Sequence, residues 1–428
     1  MQRSTDLIAR DARVTWHPFT QHASEPAPVG VVGAEGAMLE LEDGRKVIDG
    51  VSSWWTSLHG HGRPELIAAL AGQAKQLDHV LFAGHTHEPA VALSEELLDV
   101  APAGLGRVFF SDNGSTAVEV ALKMAIGAHR ADGHPERQVF IALDDSYHGD
   151  TFGAMAVGDP DPFFTTFVPF LFEVRRCPAD GAAIVAALDE LGERAAGVIL
   201  EPRVQGAAGM LMHGPEVLRS VREACTERGL YFIADEVMTG FGRTGEMFAC
   251  QTAEVSPDLM CLAKGLTGGL LPMSVTLATQ ELFDKFWHPE RGRAFFHGHS
   301  FTAHPIGCAV ARASLDIVRA EQTPERLERI GQRIHARVQA ALGGSPHVVN
   351  LRQLGGIVAF DLTEVEGAKG GYLAGITPAL RALSIDHGVM LRPLGNVIYA
   401  LPPSCTTDEQ CDRIADTMVV LANAGAPA

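Results

Sequence analysis

The sequence predicts an α/β protein, with a large, doubly wound, mostly parallel sheet and a smaller α+β region toward its end. Short apolar runs, RVFF (107–110), QVFIAL (138–143), GVILEP (197–202) and YFIA (231–234), alternate with longer stretches of helical period. Each run stops at a turn rich in Gly, Ser or Asp, as a buried parallel strand does at its carboxyl end. Beyond residue 345 the pattern changes to strand pairs around a helix, VVNLRQLGGIVAFDL (348–362) and HGVMLRPLGNVIYALPP (387–403).

The chain opens with an aromatic segment, TWHPFTQH (15–22), and a Pro/Gly-rich loop. GAMLELEDGRKVIDG (36–50) then reads as a hairpin closed at Asp43-Gly44. In VSSWWTSLHGHG (51–62), Trp54 and Trp55 are too apolar for open solvent and belong to the core or to a pocket wall. Helices follow over 64–76 and 88–101. The histidines between them, at 79, 85 and 87, with His59 and His61 upstream, lack the carboxylate or cysteine that would complete a metal site. RVFF leads through SDNGST (111–116) into a helix from Ala117. A helix start after a small-residue loop is an ordinary N-cap or an anion site built on Gly114 and Ser115. QVFIAL ends at DDSYHGDTFGAM, which places Tyr147 and His148 just past the strand end, where an aromatic can stack on a flat ligand. A helix near 215–228, a strand in LPMSVTLAT (271–279), a polar loop FFHGHSFTAHPIG (295–307) and helices over 311–322 and 324–341 complete the reading. Arg392, in apolar surroundings, suits bidentate capture of a carboxylate or a structural ion pair.

Composition excludes several classes. With 428 residues, 46% hydrophobic and 20% charged, the chain can bury a large core. Its net charge of −18 disfavours nucleic acid and anionic membranes. No run reaches the ~18 apolar residues of a membrane span, and the N-terminus has no signal-peptide core. The seven cysteines, an odd number without a CxxC pair, read as reduced core residues of a cytoplasmic protein.

The chemistry concentrates in two stretches, ADEVMTGFGRTG (234–245) and DLMCLAKGLTGG (258–269). Each carries a polar residue, Asp235 or Lys264, just where an apolar run meets glycines. Ligands of open α/β sheets bind at that edge. A desolvated lysine there becomes nucleophilic, and an aspartate can hold a protonated pyridine nitrogen. That pair is what a protein contributes to pyridoxal-phosphate chemistry.

These stretches, with DNGSTAVEVALKMA (112–125), resemble the class III, fold type I pyridoxal-phosphate aminotransferases over nearly the whole chain. TWHPFTQ, DGVSSWWTSLHGHG, SYHGDTFGAM, EPRVQGAAGM and HGHSFTAHP are similar to one branch of that family. The resemblance implies a large cofactor-binding domain over 59–320 and a small domain assembled from 1–58 and 321–428. It implies a homodimer with shared active sites and small-molecule substrates, a keto acid and an amino donor. Lys264 carries the cofactor as a Schiff base and shuttles the proton. Asp235 keeps the ring nitrogen protonated, and Tyr147 stacks on the ring. Gly114 and Ser115 hold the phosphate, joined from the partner subunit by His299 and Ser300. Phe19 and Trp54 line the substrate pocket, Gly298 adds a backbone contact, and Arg392 takes the substrate carboxylate. Phe19 stands where members have Tyr, His299 where Pro is familiar, and Ser404 where an aromatic is. These departures leave the donor open between adenosylmethionine and lysine. The alternatives are an omega-aminotransferase or aminomutase of the same class, or a cofactor-binding module without turnover.

Overall fold

A computed structural model describes residues 7–363 and 376–425. Its centre is a seven-stranded sheet in the order Leu105–Ser111, Ser274–Thr279, Leu259–Leu262, Tyr231–Asp235, Ala195–Leu200, Val139–Leu143 and Val174–Cys177. The four pairings from Leu259–Leu262 to the Val174–Cys177 edge are parallel, and Ser274–Thr279 runs antiparallel to both its neighbours. The inner strands Val139–Leu143, Ala195–Leu200 and Leu259–Leu262 are buried at every residue. Helices cover both faces, which is why these strands are apolar runs without polar alternation.

The period of two along each strand divides the core. Phe140, Ala142, Ile199, Ile233 and Cys261 face the Gly114–Ala131 helix on one side. Ile141, Leu143, Val198, Leu200, Phe232, Ala234 and Met260 face the other side, packed with Leu218 and Val221 of the Pro215–Arg228 helix.

Two smaller sheets lie beside this one. Val31–Glu35, Met38–Leu41 and Lys46–Asp49 form an antiparallel meander, to which Val389–Met390 adds in parallel. Val348–Leu354, Ile357–Leu362 and Val397–Ala400 form the second. The strands at 389–390 and 397–400 therefore join different sheets, unlike the pair expected from 387–403. Only Leu394 and Val397 bridge across the turn between them.

The helices start earlier than the periodicity suggested. The one expected from Ala117 begins at Gly114 because Asn113 caps it. The one expected from Ala311 begins at Pro305 behind a histidine cap, His304. No helix among the described residues is long and apolar enough to cross a membrane, and no group of three His, Cys, Asp or Glu there is placed to hold a metal.

Candidate active site

Parallel strands bring their carboxyl ends to one edge of the sheet, and the loops leaving that edge converge. Ser111, Leu143, Leu200, Asp235 and Leu262 are the last residues of five such strands. The residues just beyond them, or at their ends, line one cavity of about 540 Å³: Gly114 and Ser115, Tyr147 and His148, Glu201, Asp235, and Lys264.

Lys264 opens a single turn, Lys264–Thr267, directly after its strand and holds a φ of 46°. Left-handed backbone in a side-chain-bearing residue costs of order 1 kcal/mol and is characteristic of functional sites. Its Nζ lies 4.8 Å from the Trp55 ring centre. Loss of hydration lowers the Lys264 pKa below its ordinary value, Asp235 and Glu201 oppose this, and Arg243 adds to it. A larger fraction of the amine is therefore unprotonated than in water.

Asp235 ends its strand buried, and its Oδ1 accepts the Val237 amide at 3.1 Å. Its Oδ2 is 2.6 Å from His148 Nδ1. A bond this short between buried groups fixes the carboxylate plane. His148 Nε2 is buried and has no hydrogen-bond partner among the described residues. Beside them Glu201 accepts the Gly206 amide at 2.9 Å and the Tyr147 amide at 3.3 Å. Burial, with Asp235 nearby, raises the Glu201 pKa to about 7 against the pull of His148. The Tyr147 hydroxyl pairs with Asp150, whose carboxyl is also raised by burial.

The cavity floor fits a phosphate. Asn113 accepts the Thr116 amide at 3.0 Å and completes a capping box, so the cap is spent on Thr116 and Ala117. The amides of Gly114 and Ser115 have no partner among the described residues and stand at the positive end of an 18-residue helix. The N-cap is thus present, and it leaves two amides that could receive an anion. A Cβ at Gly114 would lie 2.6 Å from Val237 Cγ1, and one at Gly149, where φ is +123°, 2.4 Å from Ser115. These two glycines let the loops close around the Ser115 hydroxyl, which is 2.7 Å from Thr151 Oγ1.

The expected residues divide into three groups. Lys264, Asp235, Tyr147, Gly114 and Ser115 share the cavity just described. Trp54 and Arg392 line a neighbouring cavity of about 740 Å³, with the Arg392 guanidinium 4.8 Å from the Trp54 ring. Phe19 joins the two: its ring is 5.7 Å from Trp54 and 5.7 Å from Phe163, which lies 6.1 Å from Tyr147. Gly298, His299 and Ser300 line neither cavity.

Trp55 and His148 were placed by the sequence at a pocket wall and a strand end but given no role, and Glu201 and Arg243 were missed. The left-handed turns at Ser52, Ser53 and Trp55 point the second tryptophan, not the first, toward Lys264. His148 and Glu201 stand at strand ends, the same signal that marks Asp235. Arg243 is 2% exposed, donates to the Pro402 carbonyl at 2.9 Å, and keeps Nε and Nη2 unpartnered among the described residues. A lone arginine inside GFGRTG was its only sign.

The model of the family described as aminotransferase class-III matches residues 19–421. The adenosylmethionine-8-amino-7-oxononanoate aminotransferase of Synechococcus elongatus is 46% identical over 415 residues, 93% of this chain and 96% of that protein. Its counterpart in Geobacter sulfurreducens is 41% identical over 436 residues, 95% of each chain. The crystal structure of the Methanocaldococcus jannaschii enzyme of the same name superimposes with a TM-score of 0.93 at 33% identity and covers 98% of both chains.

Proposed function

Because the chain belongs to the class III aminotransferases, a family dependent on pyridoxal phosphate, we propose that it aminates the ketone of 8-amino-7-oxononanoate to 7,8-diaminononanoate in biotin biosynthesis, with S-adenosylmethionine as amino donor. The observation that carries this reading is the convergence of Lys264, the Asp235–His148 pair and the free Gly114 and Ser115 amides in one cavity.

When bound there, pyridoxal phosphate supplies an aldehyde for Lys264 and a ring that accepts the electrons of the substrate carbon. Lys264 Nζ, held below its usual pKa, moves the proton between substrate carbon and cofactor carbon. Asp235 holds a proton on the ring nitrogen, and His148 keeps its carboxylate oriented. Gly114 and Ser115 bind the phosphate, and Tyr147 packs on the ring. Trp55 and Met273 wall the cavity against water. Arg392 has no carboxylate partner among the described residues, which favours capture of the keto acid's carboxylate over an internal ion pair. A largely apolar, aromatic wall of Phe19, Trp54 and Tyr147 suits two unlike substrates used in turn.

The molecule works as a homodimer in this reading, with Gly298, His299 and Ser300 reaching the partner's site. Among the described residues His299 Nδ1 accepts the Phe301 amide at 3.2 Å, and its Nε2 is buried without a partner.

The two half-reactions test the proposal. Adenosylmethionine should bleach the visible band of the yellow enzyme, and 8-amino-7-oxononanoate should restore it with release of the diamine. Bleaching by lysine alone would reassign the donor. No diamine with any donor would overturn the acceptor.

A further inference from the structure

The segment 297–304 is held in place by histidines acting as acceptors. His87 caps the Glu88–Val100 helix: its Nδ1 accepts the Ala90 amide at 3.3 Å, and its Nε2 donates to the Ala303 carbonyl at 2.8 Å. His304 caps the Pro305–Ala320 helix, its Nδ1 accepting the Gly307 amide at 3.3 Å. His297 Nδ1 accepts from Lys123 Nζ at 2.9 Å, and His299 Nδ1 from Phe301. Every one of these donors can only donate, so each Nδ1 must be unprotonated. Between the two caps Ala303 is buried with a φ of 52°, a conformation its surroundings must impose.

We infer that His87 and His304 are positioning residues, which fix through these cap bonds the direction in which His299 and Ser300 project and hence how tightly the cofactor's phosphate is held. This rests on the proposed reach of His299 and Ser300 into the partner's site. Protonation of either ring removes the acceptor and sets a cation at the positive end of a helix, so two favourable terms reverse together. The His304 ring stacks on His79 at 5.9 Å and meets Phe301 at 5.7 Å, with Asp78 and His87 as the other charges facing it. His87 faces the Phe82 ring and Ala303, and Glu88 stands in the first turn of its helix. Burial, then His79, lowers the His304 pKa, which keeps the cap intact at neutral pH. Acid should therefore release the segment.

His304→Asn separates this from the titration of the cofactor itself, because asparagine caps a helix without titrating. Retention of pyridoxal phosphate by the diluted holoenzyme, and amide hydrogen exchange of residues 297–307, are followed at pH ~7.5 and ~5.5. On acidification the wild type should lose roughly tenfold more affinity than His304→Asn, with faster exchange in the segment. His87→Asn keeps a cap but loses the bond to Ala303, and should weaken retention at both pH values. Parallel loss of cofactor and of protection in wild type and His304→Asn would overturn the positioning role. Protection that follows His304 while retention does not would keep that role and overturn the reach of His299 and Ser300 to the phosphate.

Discussion

Replacing Glu201 with Gln should change the pH dependence of stability by an amount the structure sets. In the folded protein this buried carboxyl titrates at about 7, against 4.5 for its ordinary value. Between those limits the folded state binds a proton that the unfolded chain has released, so stability falls as pH rises. The gap is worth about 3 kcal/mol at about 1.4 kcal/mol per pH unit. Glutamine does not titrate. The variant turns an NH2 toward one of the Tyr147 and Gly206 amides that the carboxyl oxygens accept, and that offset is independent of pH. The stability of Glu201→Gln minus that of wild type should therefore rise by about 3 kcal/mol from pH ~4.5 to pH ~8. Urea unfolding of the cofactor-free protein, at one protein concentration and a series of pH values, measures it. A difference that stays flat across that range would show that Glu201 is ionised throughout, and the account of charge in this cavity would fail.

Lys264→Ala should fold and bind pyridoxal phosphate yet show no transamination in either half-reaction; near-normal turnover would refute the assignment of the proton shuttle. In its proposed role Asp235 would hold the ring nitrogen's proton, and Asp235→Asn would remove a contact charge pair of roughly 4–5 kcal/mol at an effective dielectric of ~20. Since the amide dipole retains part of that, a fall in kcat of at least ~10²-fold is expected from steady-state rates. Gly114→Ala drives a methyl against Val237 at 2.6 Å and should weaken cofactor affinity by roughly 10- to 100-fold in an equilibrium titration. Arg392→Ala should raise the KM for the keto acid with little change in kcat; an unchanged KM would move the carboxylate to another residue.

That the residues proposed for the cofactor share one cavity was legible because their placement depends on local order. Asp235, Lys264, Gly114 and Tyr147 each follow an apolar run within a few residues, and in a parallel sheet every such position meets at one edge. The same rule placed His148 beyond the Leu143 run and would have found Glu201, which directly follows the Leu200 run already recognised as a strand. The substrate side was less legible. Which of two adjacent tryptophans faces Lys264 depends on left-handed turns at Ser52, Ser53 and Trp55, and no periodicity encodes those. Arg243 and Arg392 look alike in the sequence. One is sealed in the core against the Pro402 carbonyl, the other open to a cavity beside Trp54.

By itself the sequence determined the strand–helix alternation, the strand ends and the motifs of a pyridoxal-phosphate aminotransferase, because hydrophobic period and turn chemistry act over a few residues. The tertiary structure alone decided the pairing of Asp235 with His148, the burial that moves Glu201 to about 7, and the bond from His87 to the Ala303 carbonyl. Each of these joins segments distant in the chain or depends on how much water packing excludes, and neither is written in local order.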